Sequence, residues 1–208
     1  MRRARRTRSP DCVTPARTVT ERAAVIAAFD ATAALHREWC ASHVDELMQV
    51  ATAVTEAINR GGRVLSFGNG GSALDAQHLA GELVGRFVTD RRALAGLALT
   101  ADGGVLTALA NDFGFETVFA RQIEAYGRPG DVAVGITTSG MSPNVTRALV
   151  KARELGLTAV ALTGQDGGDA GRAAHLHLNV PSGSTARVQE VHRTILHVLC
   201  ELIEKGLQ

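Results

Sequence analysis

The sequence predicts an α/β fold in which a parallel sheet is covered by helices on both faces. Three observations carry that expectation. Short apolar runs of strand length alternate with amphipathic stretches of helix length. The runs are apolar enough to be buried on both faces, as strands of a parallel sheet are. Glycine- and hydroxyl-rich turns stand where strands hand over to helices, which is where such sheets bind ligands.

Two helices are expected first. Residues 21–39 are alanine-rich and place Val25, Ile26, Phe29 and Leu35 at helical spacing. Residues 42–59 begin with Ser42 as the expected N-cap and stop at Gly61-Gly62. The alternation then runs strand 63–67, helix 72–87, strand 95–99, helices 103–110 and 115–126, and strand 131–136. Helix 143–155, strands 158–162 and 175–180 and a last helix over 184–206 follow. The segment Leu162-Thr163-Gly164-Gln165-Asp166-Gly167-Gly168 is expected to be a loop.

The 208 residues suit one domain with a substantial core, divided into a basic tail over 1–18 and a folded unit over 19–208. The tail, opening Met1-Arg2-Arg3-Ala4-Arg5-Arg6, lacks apolar residues to bury and is expected to be disordered. A net charge of +1 makes the whole chain no attractor for nucleic acid or membrane, so neither is expected as a partner. No run approaches the roughly 18 apolar residues needed to span a bilayer, and a cytoplasmic address is expected. The three cysteines are scattered without a CxxC pair, against both a disulfide framework and a cysteine-zinc site.

Function concentrates in FGNGGSALDAQHLAGELVGR, residues 67–86. A glycine turn between a strand and a helix exposes backbone N–H groups at the positive end of the helix dipole and suits an anion such as phosphate. A tight loop with no ligand would use the same glycines. His78 and Glu82, four residues apart, share a helix face. Thr137-Thr138-Ser139-Gly140-Met141-Ser142 closes another strand with several hydroxyl donors, and Ser142 with Pro143 is also a helix-start signature. On the last helix, His192 and His197 lie about 60° and 80° to either side of Gln189, so periodicity does not choose between them.

The motifs GNGGSALDAQHLAGEL, ANDFGFETVFARQ, TTSGMSPN, ALTGQDGG and RVQEVHRTILHVLCELIE, taken in order, resemble those of phosphoheptose isomerases, from about residue 19 to the C-terminus. These are proteins of a single sugar isomerase (SIS) domain. The resemblance implies a three-layer sandwich around a five-stranded parallel sheet of flavodoxin-like topology, preceded by two helices. It implies a homotetramer with active sites between subunits. The implied activity converts sedoheptulose 7-phosphate to D-glycero-D-manno-heptose 7-phosphate. By the same resemblance, Glu82 and His197 are catalytic, and zinc is held by His78, Glu82, Gln189 and His197. Substrate contacts are implied at Asn69, Gly70, Gly71, Ser72, Glu82, Arg86, Asn111, Asp112, Thr137, Thr138, Ser139, Ser142 and Gln189. Ala186 departs from the pattern, since some members carry an aspartate there. Gln189 and His197 are eight residues apart, a rise of about 12 Å, which strains a shared metal.

Two other functions remain open at this level. Non-catalytic relatives bind a replication initiator, but Glu82 and His197 favour an enzyme. A sugar-phosphate sensor would be expected to carry a DNA-binding domain, for which the tail is too short.

Overall fold

The computed structural model describes residues 15–207, with side chains from Val19 onward. Residues 1–14, most of the expected basic tail, lie outside the described residues, and the first helix begins at Pro15.

The first element is one helical run, α1 (Pro15–Asn59), broken at His43, whose φ of −131° and ψ of 17° are non-helical. The two expected helices are therefore its two limbs. Ser42 does not cap the second limb through its side chain. Its hydroxyl donates back to the Glu38 and Trp39 carbonyls at 3.1 and 3.4 Å and so closes the first limb. The Trp39 ring stacks on His43 at 5.1 Å between centroids, and its Nε1 donates to the Asn179 carbonyl at 2.8 Å, fixing the bend to the sheet.

After α1 come β1 (Val64–Gly68), α2 (Gly71–Val84), β2 (Gly96–Ala98), α3 (Gly103–Phe113), a 3-10 turn (Phe115–Thr117) and α4 (Val118–Tyr126). Then follow β3 (Val132–Thr137), α5 (Pro143–Glu154), β4 (Thr158–Gly164), α6 (Gly168–Ala173), β5 (Leu176–Val180) and α7 (Thr185–Gly206). The five strands form one parallel sheet in the order β2-β1-β3-β4-β5. The expected elements recur within a few residues of their sequence bounds. The exception is α6, which occupies chain expected to be loop. Its glycines concealed it, although Gly167 and Gly168, at φ 87° and 53°, supply the left-handed turn that starts it.

Strand alternation sorts the two cores. Val132, Val134, Ile136, Val160 and Leu162 face α1, α2 and α7. Ala133, Ala159 and Ala161 face α4, α5 and α6. At Gly135 an added Cβ would lie 3.0–3.2 Å from Val145, Phe67 and Leu149, so the strand needs glycine to let α5 approach.

The chain leaves β1 toward β2, then crosses back to β3 on the other side. The carboxyl ends of β1 and β3 therefore meet at a topological switch point, which opens a crevice for a ligand.

Candidate active site

Two loops meet at this switch point. The register pairs Gly68 with Ile136, so Asn69 follows one strand as Thr137 ends the other. The Asn69 and Asn144 amides bind each other reciprocally, each Nδ2 donating to the other's Oδ1 at 2.9 Å. Asn144 was not singled out from the sequence, and its place beside Pro143 gave no special signal.

Gly70, at φ 55° and ψ −122°, turns the chain into α2, and no side chain caps that helix start. Gly71 admits no Cβ without collision, because the Gln189 amide nitrogen lies 2.6 Å from where it would stand. Ser72 is buried in the first turn. On the neighbouring loop, Ser142 occupies the N-cap position of α5 with Pro143 behind it, as the sequence suggested, but its hydroxyl makes no cap bond. It pairs with Thr137 Oγ1 at 2.9 Å, and Ser139 Oγ lies 3.4 Å from that same atom. Ser139 also accepts from the Met141 amide at 3.2 Å. Thr138 sits among them, partly buried. Three hydroxyls gathered at a helix N-terminus, one at the cap position without capping, form a cradle suited to phosphate.

The second part of the site is a contact between α2 and α7, which run side by side in matched register. Gly71 meets Gln189. Asp75 Oδ1 accepts from Arg193 Nη2 at 2.5 Å. His78 Nε2 faces His197 Nε2 at 2.8 Å, with the rings tilted at 60°. Glu82 Oε1 lies 3.6 Å from His78 Nε2. Gln189, Arg193 and His197 are successive i, i+4 positions on α7, and Arg193 was not singled out from the sequence. The open end of this contact is a groove lined by Gly71, Asp75, Ala186, Gln189, Glu190 and Arg193.

The electrostatics follow from burial. Loss of solvent, and then the positive Arg193, pull His78 below its usual range against Glu82, so its imidazole is neutral near pH 7. Burial raises the Asp75 carboxyl while Arg193 opposes the rise. Burial, with Glu82 adding to it, pushes the Cys200 thiol up to about 12, which removes it as a nucleophile.

The structure also separates the two histidines. His192 is fully buried, its Nε2 donates to the Thr163 carbonyl at 2.9 Å, and burial lowers its pKa to about 4. It is a core residue, and His197 is the one that faces His78. Other expected residues stand away from this contact. Helix α2 ends at Val84, not 87, so Arg86 lies beyond it and pairs at the surface with Asp90 at 3.2 Å. Asn111 and Asp112 are exposed at the end of α3 and bound to each other at 2.8 Å. Gln189 lies over Gly71, two turns before His197.

Two imidazoles with a carboxylate beside them are the donor chemistry that zinc takes. The ring nitrogens are in direct contact, however, and among the described residues no three His, Cys, Asp or Glu side chains form a ready metal group.

A doubly wound sheet with a hydroxyl-and-glycine cradle at its switch point defines the class of SIS domains, and the family model of that description matches residues 29–164. Phosphoheptose isomerase of Aquifex aeolicus (strain VF5) is 55% identical over 163 residues, 78% of this chain and 85% of that protein. The solved phosphoheptose isomerase of Neisseria gonorrhoeae is 41% identical at a TM-score of 0.84, covering 90% of this chain and 99% of that one. That of Francisella tularensis is 34% identical at 0.86, covering 89% and 98%. The chain belongs to the phosphoheptose isomerase family of SIS-domain enzymes.

Proposed function

We propose that this enzyme interconverts sedoheptulose 7-phosphate and D-glycero-D-manno-heptose 7-phosphate through an enediolate, supplying the aldose from which nucleotide-activated heptoses are made. The observation that carries the reading is the α2/α7 contact, which sets Glu82 beside the facing His78–His197 pair. The substrate phosphate is bound by Ser139, Ser142 and Thr137 at the start of α5, with Asn69, Gly70, Gly71, Ser72 and Thr138 lining the cradle. The Glu82 carboxylate takes the proton from C1 of the ketose. A C1–C2 double bond forms as the C2 carbonyl becomes an enediolate oxygen, and the same proton returns to C2 as the carbonyl forms at C1. His197 moves the proton between the two oxygens. Gln189 orients the sugar from the groove.

Zinc held by His78, Glu82, Gln189 and His197 would polarise the carbonyl as a Lewis acid. The donor chemistry supports it.

A homotetramer completes the reading. Leu106 and Leu109 turn one side of α3 onto the core, while Phe113 at its end and Phe115 just beyond are 48% and 56% exposed. An apolar surface of that kind suits a subunit contact, through which Asn111, Asp112 and Arg86 serve a neighbouring site. The enzyme works in the cytoplasm on a soluble sugar phosphate; no described helix is long and apolar enough to cross a membrane.

The test is product analysis by NMR after incubation with sedoheptulose 7-phosphate, for the wild type and Glu82→Gln. The amide keeps the shape of the carboxylate but takes no proton, so turnover should fall by about 10²–10⁴-fold with substrate still bound. A Glu82→Gln enzyme that keeps half its rate refutes the assignment.

A further inference from the structure

Beyond the cradle and the α2/α7 contact, one buried ion pair is unused by the chemistry. Arg91 and Glu204 are joined Nε to Oε1 at 3.0 Å, with side chains only 9% and 4% exposed. Each does more than neutralise the other. Arg91 Nη2 donates to the Glu82 carbonyl at 2.6 Å, and Nη1 donates to those of Leu83 at 2.9 Å and Gly85 at 3.2 Å. These are carbonyls at the C-terminal end of α2, which no following turn of helix can satisfy. Glu204, from the last turns of α7, accepts from the backbone amides of Phe87 at 2.8 Å, Val88 at 3.0 Å and Thr89 at 2.9 Å, and from the Thr89 hydroxyl at 3.0 Å. The loop so held carries the Phe87 ring onto His197, 5.4 Å between centroids at 32°.

We infer that Arg91 and Glu204 are positioning residues for the reaction: one clamp that fixes the backbone of Glu82 and, through Phe87, the ring of His197. The inference rests on the assignment of Glu82 and His197 proposed above. Glu82 stands in the last turn of α2, where backbone frays most easily. A proton carrier must be held to a fraction of an ångström, and a misplacement of about 1 Å costs on the order of 10²-fold in rate. The clamp answers that need at the C-terminal end of α2, where Leu83 also packs closely on Gly96 of β2, and it ties α2 to α7 beyond the His78–His197 contact. Arg91 acts as a fork: a lysine keeps the ion pair with Glu204 but cannot reach several carbonyls at once.

The experiment compares Arg91→Lys, Glu204→Gln and Phe87→Leu with the wild-type and Glu82→Gln enzymes, each assayed with sedoheptulose 7-phosphate at a temperature where circular dichroism shows it folded. The clamp predicts kcat lowered about tenfold or more in all three variants, with KM within about twofold. Arg91→Lys should keep a melting temperature near the wild type while its kcat falls. A folded Arg91→Lys or Glu204→Gln enzyme with wild-type kcat overturns the inference, that being the behaviour of an ordinary structural ion pair. Should both clamp variants fail to fold, Phe87→Leu decides: lowered kcat at constant KM supports the clamp, and unchanged kcat refutes it. A fully active Glu82→Gln would instead overturn the assignment on which the clamp depends, so the two failures read differently.

Discussion

His192 and His197 stand on one helix, five residues apart, and mutating each to asparagine should give opposite results. His192 is fully enclosed, with its Nε2 bonded to the Thr163 carbonyl at 2.9 Å. Loss of that bond costs about 1 kcal/mol, and the space left by the shortened ring about 1–2 kcal/mol more. A chain of this length loses roughly 2–4 °C of Tm per kcal/mol, so His192→Asn should melt about 4–12 °C lower. Below that temperature its kcat and KM should match the wild type, because the side chain touches nothing in the site. His197 is only partly buried, and its Nε2 meets His78 at 2.8 Å. His197→Asn should keep its Tm within a few degrees, lose kcat by about 10²-fold or more and bind less zinc. Thermal melts, NMR turnover assays and metal analysis on both variants check this. A folded His192→Asn that is inactive beside an active His197→Asn would refute the placement of α7 against the site.

Ser139→Ala combined with Ser142→Ala should raise KM at least about tenfold with a smaller change in kcat, since hydrogen bonds to a charged group contribute about 1.5–3 kcal/mol each; initial-rate kinetics with the heptose phosphate measure it. Gly71→Ala should fold normally yet bind substrate more weakly, because the new methyl displaces the flexible Gln189 amide that lies 2.6 Å from its position. Acid melting should report on Glu204. Burial pushes its carboxyl up, but the amides of Phe87, Thr89 and Val88 with the Thr89 hydroxyl outweigh that and bring it from 4.5 to about 2. A pKa lowered by folding stabilises the protein fully above the unfolded value and loses that contribution as pH falls through the folded one. The contribution of Glu204 should therefore disappear between pH 4.5 and about 2, and Glu204→Gln should flatten that part of the Tm profile.

The sequence by itself determined the layered fold and most element bounds, because period and length of apolar runs depend only on which faces each segment buries. It also marked the two glycine- and hydroxyl-rich turns proposed to hold the phosphate, since both follow a strand and open a helix, and it put His78 and Glu82 on one face by spacing alone. It missed α6, whose glycines look like loop, and it misjudged Ser42, whose hydroxyl had two helix ends within reach. The choice between His192 and His197 needed the fold: both fit the periodicity of α7, and only the angle at which that helix meets the sheet turns one into the core and the other toward α2. The same holds for Arg193 against Asp75 and for Arg91 against Glu204, pairs more than a hundred residues apart in sequence. Spacing along a chain fixes which side chains share a face. Which faces meet, and in what register, is decided by packing the two helix layers onto the sheet, and every contact between α2 and α7 is a consequence of that packing.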